Sequence, residues 1–118
     1  MGLRLDRAGA PAAAAGVARE PLETENAAIS YLRVAPNFRL PFGHTHDEQE
    51  EVYVLVGGSA RIKLDDEVLE LRPFDAVRIH RETMRNVEGG PEGAELILCG
   101  APNAGPDDVQ MTPGWWSD

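Results

Sequence analysis

The amino-acid sequence predicts an all-β domain of antiparallel strands, a sandwich or a barrel, and three observations carry that reading. After residue 20 the apolar residues fall in short runs rich in Val, Ile, Leu and Tyr. Turn-forming Gly, Pro and Asp residues separate these runs at short intervals, as an antiparallel chain requires. No segment beyond residue 20 keeps a helical period for more than two turns.

Taken in order, residues 1–18 read as a flexible Ala-rich arm. It is loosest over 6–16, where small residues with Pro11 and two glycines bury too little apolar area to offset their ordering entropy. Residues 19–118 read as a single barrel domain, a length that can bury a core without disulfides or metal staples. The strand candidates are 28–34, 51–56, 60–64, 68–71, 76–79 and 94–99, with turns at Pro36, Pro41, Gly57-Gly58, Asp65-Asp66, Pro73 and Gly89-Gly90-Pro91. In 60–71 the alternation puts Ile62 and Leu64 on one face and Arg61 and Lys63 on the other, a hairpin turning at Asp65-Asp66 with one wet face. The unbroken apolar run 52–56 predicts a strand buried on both faces. The closing PGWWSD predicts that Trp115 and Trp116 dock the tail against the barrel or across a dimer interface, because exposed adjacent indoles are costly.

Composition narrows the function. Eleven Lys and Arg stand against 20 Asp and Glu, a net charge of -9 that repels phosphate backbones and anionic lipid surfaces. Neither nucleic acid nor membrane is expected as a partner. The start of the chain has no run of large apolar residues resembling a signal segment, and no stretch approaches the roughly 18–20 apolar residues of a membrane span, so a cytoplasmic protein is expected. The lone Cys99 excludes an internal disulfide and a Cys-x-x-Cys site and reads as a small buried hydrophobe. A metal site must therefore draw on His and carboxylates.

Two of the three histidines, His44 and His46, stand two apart, and acidic residues follow at Asp47, Glu48, Glu50 and Glu51. Side chains at i and i+2 of a strand share a face about 6.5–7 Å apart, a span two imidazoles can close onto one ion. Two neutral imidazoles and a carboxylate form the facial set used by non-haem iron and accepted by Mn, Ni and Zn. The plain alternative is a chance His pair beside a solvated acidic turn.

The segment GHTHDEQEEVYVLVGG, residues 43–58, resembles the first motif of the cupin superfamily: His-x-His, three or four residues, Glu, six residues, Gly. The likeness extends over roughly residues 30–100 and implies a double-stranded antiparallel jelly-roll barrel. It also implies His44, His46 and Glu51 as metal ligands, with Glu50 and Gly57 as an alternative register to Glu51 and Gly58. The place six residues before His44, usually Gly, holds Phe38. In the second cupin motif the places of its Gly, Pro, Gly, His and Asn hold Phe74, His80, Glu82, Arg85 and Gly89, so none is kept. Arg85 stands where the last histidine ligand belongs, and a guanidinium donates only and cannot coordinate a cation. Two outcomes follow: Arg85 faces the open side of a three-ligand metal and grips a substrate carboxylate, or it pairs with Glu51 or Glu50 and fills the ion's space. His80 is a substitute ligand or a surface residue, and Tyr53 lines the pocket or the core. The resemblance implies a pocket for a divalent metal and a small anionic organic ligand, in a homodimer, with oxygenase or isomerase chemistry. The alternative is a metal-free binding or structural cupin dimer.

Overall fold

The computed structural model describes the backbone of residues 13–17, residues 25–101 and residues 106–118. Eight strands are seen among them: β1 Ala13–Val17, β2 Ala28–Val34, β3 Phe42–His46, β4 Glu51–Leu64, β5 Glu67–Leu71, β6 Ala76–Ile79, β7 Arg85–Gly100 and β8 Val109–Pro113. Every pairing is antiparallel, and β1-β2-β7-β3-β8 run in ladder order while β4 pairs with β5, β6 and β7. The hydrogen-bonded sheet does not close on itself. Of the arm expected over 1–18, only Ala13–Val17 is described, and its backbone pairs with Ser30–Val34; the rest lies outside the described residues.

The sheet is organised by two long strands. β4 and β7 share a ladder from Glu51↔Gly100 to Leu64↔Arg85, interrupted by bulges between Leu55 and Gly57 and between Gly58 and Ala60. Gly58 (φ 71°) and Gly93 (φ 82°) adopt left-handed backbone there, and a Cβ on Gly58 would run into the Gly93 carbonyl. The glycine clusters expected as turns, Gly57-Gly58 and Gly89-Gly90, thus lie inside continuous strands. A bulge needs the same glycines as a turn but keeps the ladder going, which is why the turn signal misled.

The core draws on both halves of these strands: Tyr53, Leu55, Ala60 and Ile62 from β4, Val87, Ala94 and Leu96 from β7, joined by Leu32 and Val34 of β2. Burial along β4 corrects the expectation of a strand dry on both faces: Tyr53 and Leu55 are buried, but Val52 and Val54 are half-buried and Val56 is exposed. Cys99 is half-buried, not fully buried as expected, because it lies near the end of β7 beside Gly100. The β4–β5 hairpin turns at Asp65-Asp66 as expected, with Asp65 at φ 49° and its carboxylate accepting from the Met84 amide at 3.0 Å.

The tail docks along β3. β8 pairs with it from Phe42↔Pro113 to His46↔Val109. Trp116 is buried, with the Arg39 guanidinium 4.1 Å and that of Arg61 5.3 Å from its ring. Arg39 also donates to the Trp116 carbonyl at 2.8 Å and pairs with Asp118, and Lys63 lies 4.6 Å from the Trp115 ring. No helix among the described residues is long and apolar enough to cross a membrane.

Candidate metal centre and pocket

β3 sets His44 and His46 on one face, and the turn 47–50 returns the chain so that β4 begins at Glu51. Strand parity then places Glu51, rather than Glu50, beside the two histidines. Glu51 shares the inward face with Tyr53 and Leu55, whereas the Glu50 side chain is 54% exposed and reaches Arg78 at 3.4 Å. One candidate ligand atom from each of His44, His46 and Glu51 lies within 4.8 Å of the other two. Glu51 Oε1 is 3.7 Å from His44 Nε2 and 3.0 Å from His46 Nε2.

His46 is held by a residue the sequence reading did not anticipate. Its Nδ1 lies 2.9 Å from Oδ2 of Asp108, a buried carboxylate in the 3-10 turn Pro106–Asp108 that leads into β8. The other oxygen, Oδ1, accepts the Glu48 amide at 2.7 Å, and the Asp108 carbonyl accepts the Asp47 amide at 2.8 Å. A carboxylate on Nδ1 fixes the neutral ring with its proton there and its Nε2 lone pair bare. That Nε2 is buried and faces Glu51 Oε1 at 3.0 Å.

Arg85 is fully buried at the ladder position opposite His44. Its Nη1 donates to Glu51 Oε1 at 3.1 Å and its Nη2 to the His80 carbonyl at 2.8 Å, while Nε has no partner. Of the two outcomes weighed for Arg85, the structure shows the pairing with Glu51. The His80 imidazole sits in an exposed turn and accepts the Glu82 amide at 3.2 Å, so only its backbone reaches this network. Tyr53 is buried, with its hydroxyl 3.5 Å from Glu51 Oε1.

Burial would push the Glu51 carboxyl up, but hydrogen bonds to His44 and His46 and the charges of His46 and Arg85 outweigh it and bring its pKa down to about 2. Burial likewise opposes charge on His46, yet Glu51 and Asp108 prevail and raise it. Asp108 is lowered against its burial by His46 and the Glu48 amide. Burial and the Glu51 charge raise the Tyr53 phenol, so it stays a neutral hydroxyl.

These groups form one wall of a pocket of about 430 Å³. Ile29, Phe42, Leu98, Val109 and Met111 supply apolar walls, and Gln49 and Tyr53 complete the polar side. The donor set fits a divalent transition ion: two imidazoles, one carboxylate, and a buried ring nitrogen whose tautomer is already set.

Among solved structures, a cupin protein from Bacteroides fragilis superposes with a TM-score of 0.70 at 25% identity, covering 88% of this chain and 86% of the other. By its fold the chain is a cupin. Oxalate decarboxylase from Bacillus subtilis matches this cupin with a TM-score of 0.70 at 22% identity over 84% of the chain, which spans only 27% of that enzyme. KdgF from Halomonas sp. matches with a TM-score of 0.69 at 16% identity, over 82% of this cupin and 86% of KdgF. No family model and no curated protein matches the sequence.

Proposed function

We propose that this cupin binds a divalent transition metal through His44, His46 and Glu51 and takes a small anionic organic ligand in the adjoining pocket, for oxygenase- or isomerase-type chemistry. The observation that carries the reading is the convergence of His44, His46 and Glu51, whose candidate ligand atoms lie within 4.8 Å of one another, with His46 Nδ1 held by Asp108. When bound, the ion supplies a Lewis acid that polarises a coordinated oxygen.

The protein's own groups do the rest. Asp108 orients His46, and Arg85, itself tied to the His80 carbonyl, holds the Glu51 carboxylate in place. Tyr53 forms part of the wall against which the ligand lies. The charges favour an anionic ligand: with Glu51 and Asp108 ionised and Arg85 cationic, a divalent ion leaves one positive charge in excess inside a partly buried site. Burying that excess is unfavourable unless an anion arrives with it.

A second reading rests on the Arg85 Nη1 contact with Glu51 Oε1. Here the arginine neutralises the carboxylate, a protonated His46 neutralises Asp108, and the pocket binds its ligand without metal. Elemental analysis of untagged protein, offered Fe, Mn, Ni and Zn, separates the two. Near-stoichiometric metal that is lost in the His44→Ala, His46→Ala double variant is expected. Wild-type protein that takes up none of the four ions would leave only the metal-free reading.

A further inference from the structure

Adjoining the candidate metal centre lies a second, smaller and partly open chamber of about 150 Å³. It shares Phe42, His44, Tyr53 and Leu98 with the outer pocket, so these four side chains stand between the two spaces. Beyond them the walls are Leu32, Leu40 and Val87, with Arg85 and Asn86 alongside.

Most polar groups on these walls are already engaged, Arg85 Nε excepted. Asn86 donates to the Leu40 carbonyl at 3.0 Å and accepts the Val87 amide at 2.7 Å. Both terminal nitrogens of Arg85 are bonded to protein oxygens, and the guanidinium has no exposed surface to offer. Tyr53 directs its hydroxyl at Glu51. His44, on the boundary with the metal centre, and the partnerless Arg85 Nε are what remains to meet a polar atom. A sugar or other polyol entering the chamber would lose water at each hydroxyl and regain a partner for two groups at most, at about 1–3 kcal/mol for each hydroxyl left over. An apolar group meets no such penalty: a dry cavity of about 150 Å³ lined by Leu, Ile and Phe is large enough for benzene.

From these walls and this volume we infer that the ligand carries a compact apolar group, an aromatic ring or a branched alkyl of similar size, beside its anionic metal-binding end. The substrate class is an aryl or branched-chain carboxylate or phenolate, and sugar acids are disfavoured in this space. The inference deepens the metal reading for its anionic end but rests on the chamber alone for its apolar end.

The test titrates full-length, isotope-labelled protein with benzene, benzoate and glucuronate, following the methyl resonances of Leu32, Leu40 and Val87, which line the smaller space alone, with and without added Zn²⁺. Benzene should shift those methyls whether or not metal is present. Benzoate should bind at least tenfold more tightly with Zn²⁺, and glucuronate should leave the methyls unmoved. Leu98→Phe, which fills the chamber mouth, should weaken benzene at least tenfold, and Val87→Phe provides the same reading if Leu98→Phe does not fold. Benzene that saturates in water without moving any of the three methyls, or glucuronate that shifts them, overturns the inference. Failure of metal uptake alone removes the Zn²⁺ enhancement of benzoate and leaves the benzene result intact.

Discussion

Residues 42–51 and residues 74–89 meet where His44 lies opposite Arg85 and Glu51 opposite Ile79, and the two passages have kept different things. The first keeps its side chains: His44, His46 and Glu51 converge as the resembled motif implies. The second has lost every motif side chain yet keeps the backbone path. Its opening turn still closes, with the Asp75 amide donating to the Arg72 carbonyl at 2.9 Å, but the place given to glycine in the motif is Phe74 at φ 73°, 81% exposed. A non-glycine residue in that conformation costs about 1–2 kcal/mol. Backbone geometry outlasts the residues that suit it, because the flanking strands β5 and β6, both paired with β4, hold the turn from both ends. A ligand set has no such support once a side chain is exchanged, and Arg85 has changed what this side of the pocket can do.

The contrast is broken most severely at Arg85. Arg85→Ala leaves Glu51 charged and without its fully buried partner, and the midpoint of urea unfolding should fall by an amount equivalent to about 3–5 kcal/mol. An unchanged midpoint would mean that the pair is not buried in solution. Acid titration of metal-free protein in EDTA comes next. The unfolded Glu51 takes up a proton near pH 4.5 while the folded one holds out to about 2, so its contribution is present above pH 4.5 and lost as pH falls toward 2. The loss is up to about 3 kcal/mol and should shrink in Glu51→Gln. His46 works in the opposite sense: its raised pKa contributes stability below pH 6.5 that is lost as pH rises through the folded value.

Asp108→Asn should weaken Zn²⁺ or Mn²⁺ binding about 10–100-fold by calorimetry while retaining an acceptor for the Glu48 amide. Equal affinity in the variant would remove Asp108 from the metal reading. The smallest effect is expected at Phe74→Gly, which should raise stability by no more than about 1 kcal/mol by relieving the left-handed strain. A loss there would show that the Phe74 side chain packs against something in solution.

How much of this was legible beforehand followed the range of each signal. The period-2 alternation of 60–71 and the turn at Asp65-Asp66 are local, and the hairpin formed where the sequence placed it. His44, His46 and Glu51 fall within eight residues, close enough for spacing alone to suggest their convergence. β3 and β8 went unread because FGHTH and VQMTP carry too few large apolar residues to stand out as strands; each is held by the other's ladder. Asp108 was missed for the same reason: it lies 62 residues from His46, and only the β3–β8 pairing brings it there. The continuity of β4 and β7 was hidden by glycines that serve bulges and turns alike.

The docked tail gives the protein an optical property. Its only two tryptophans, Trp115 and Trp116, both lie in the segment that continues from β8. Indole emission therefore reports on this one strap, with Trp116 emitting beneath two guanidinium groups, whereas far-ultraviolet dichroism reports on the whole sheet. If the two signals separate on heating, the emission change marks release of the strand that carries Asp108 to His46, and the molecule reports the opening of its own site without an added dye.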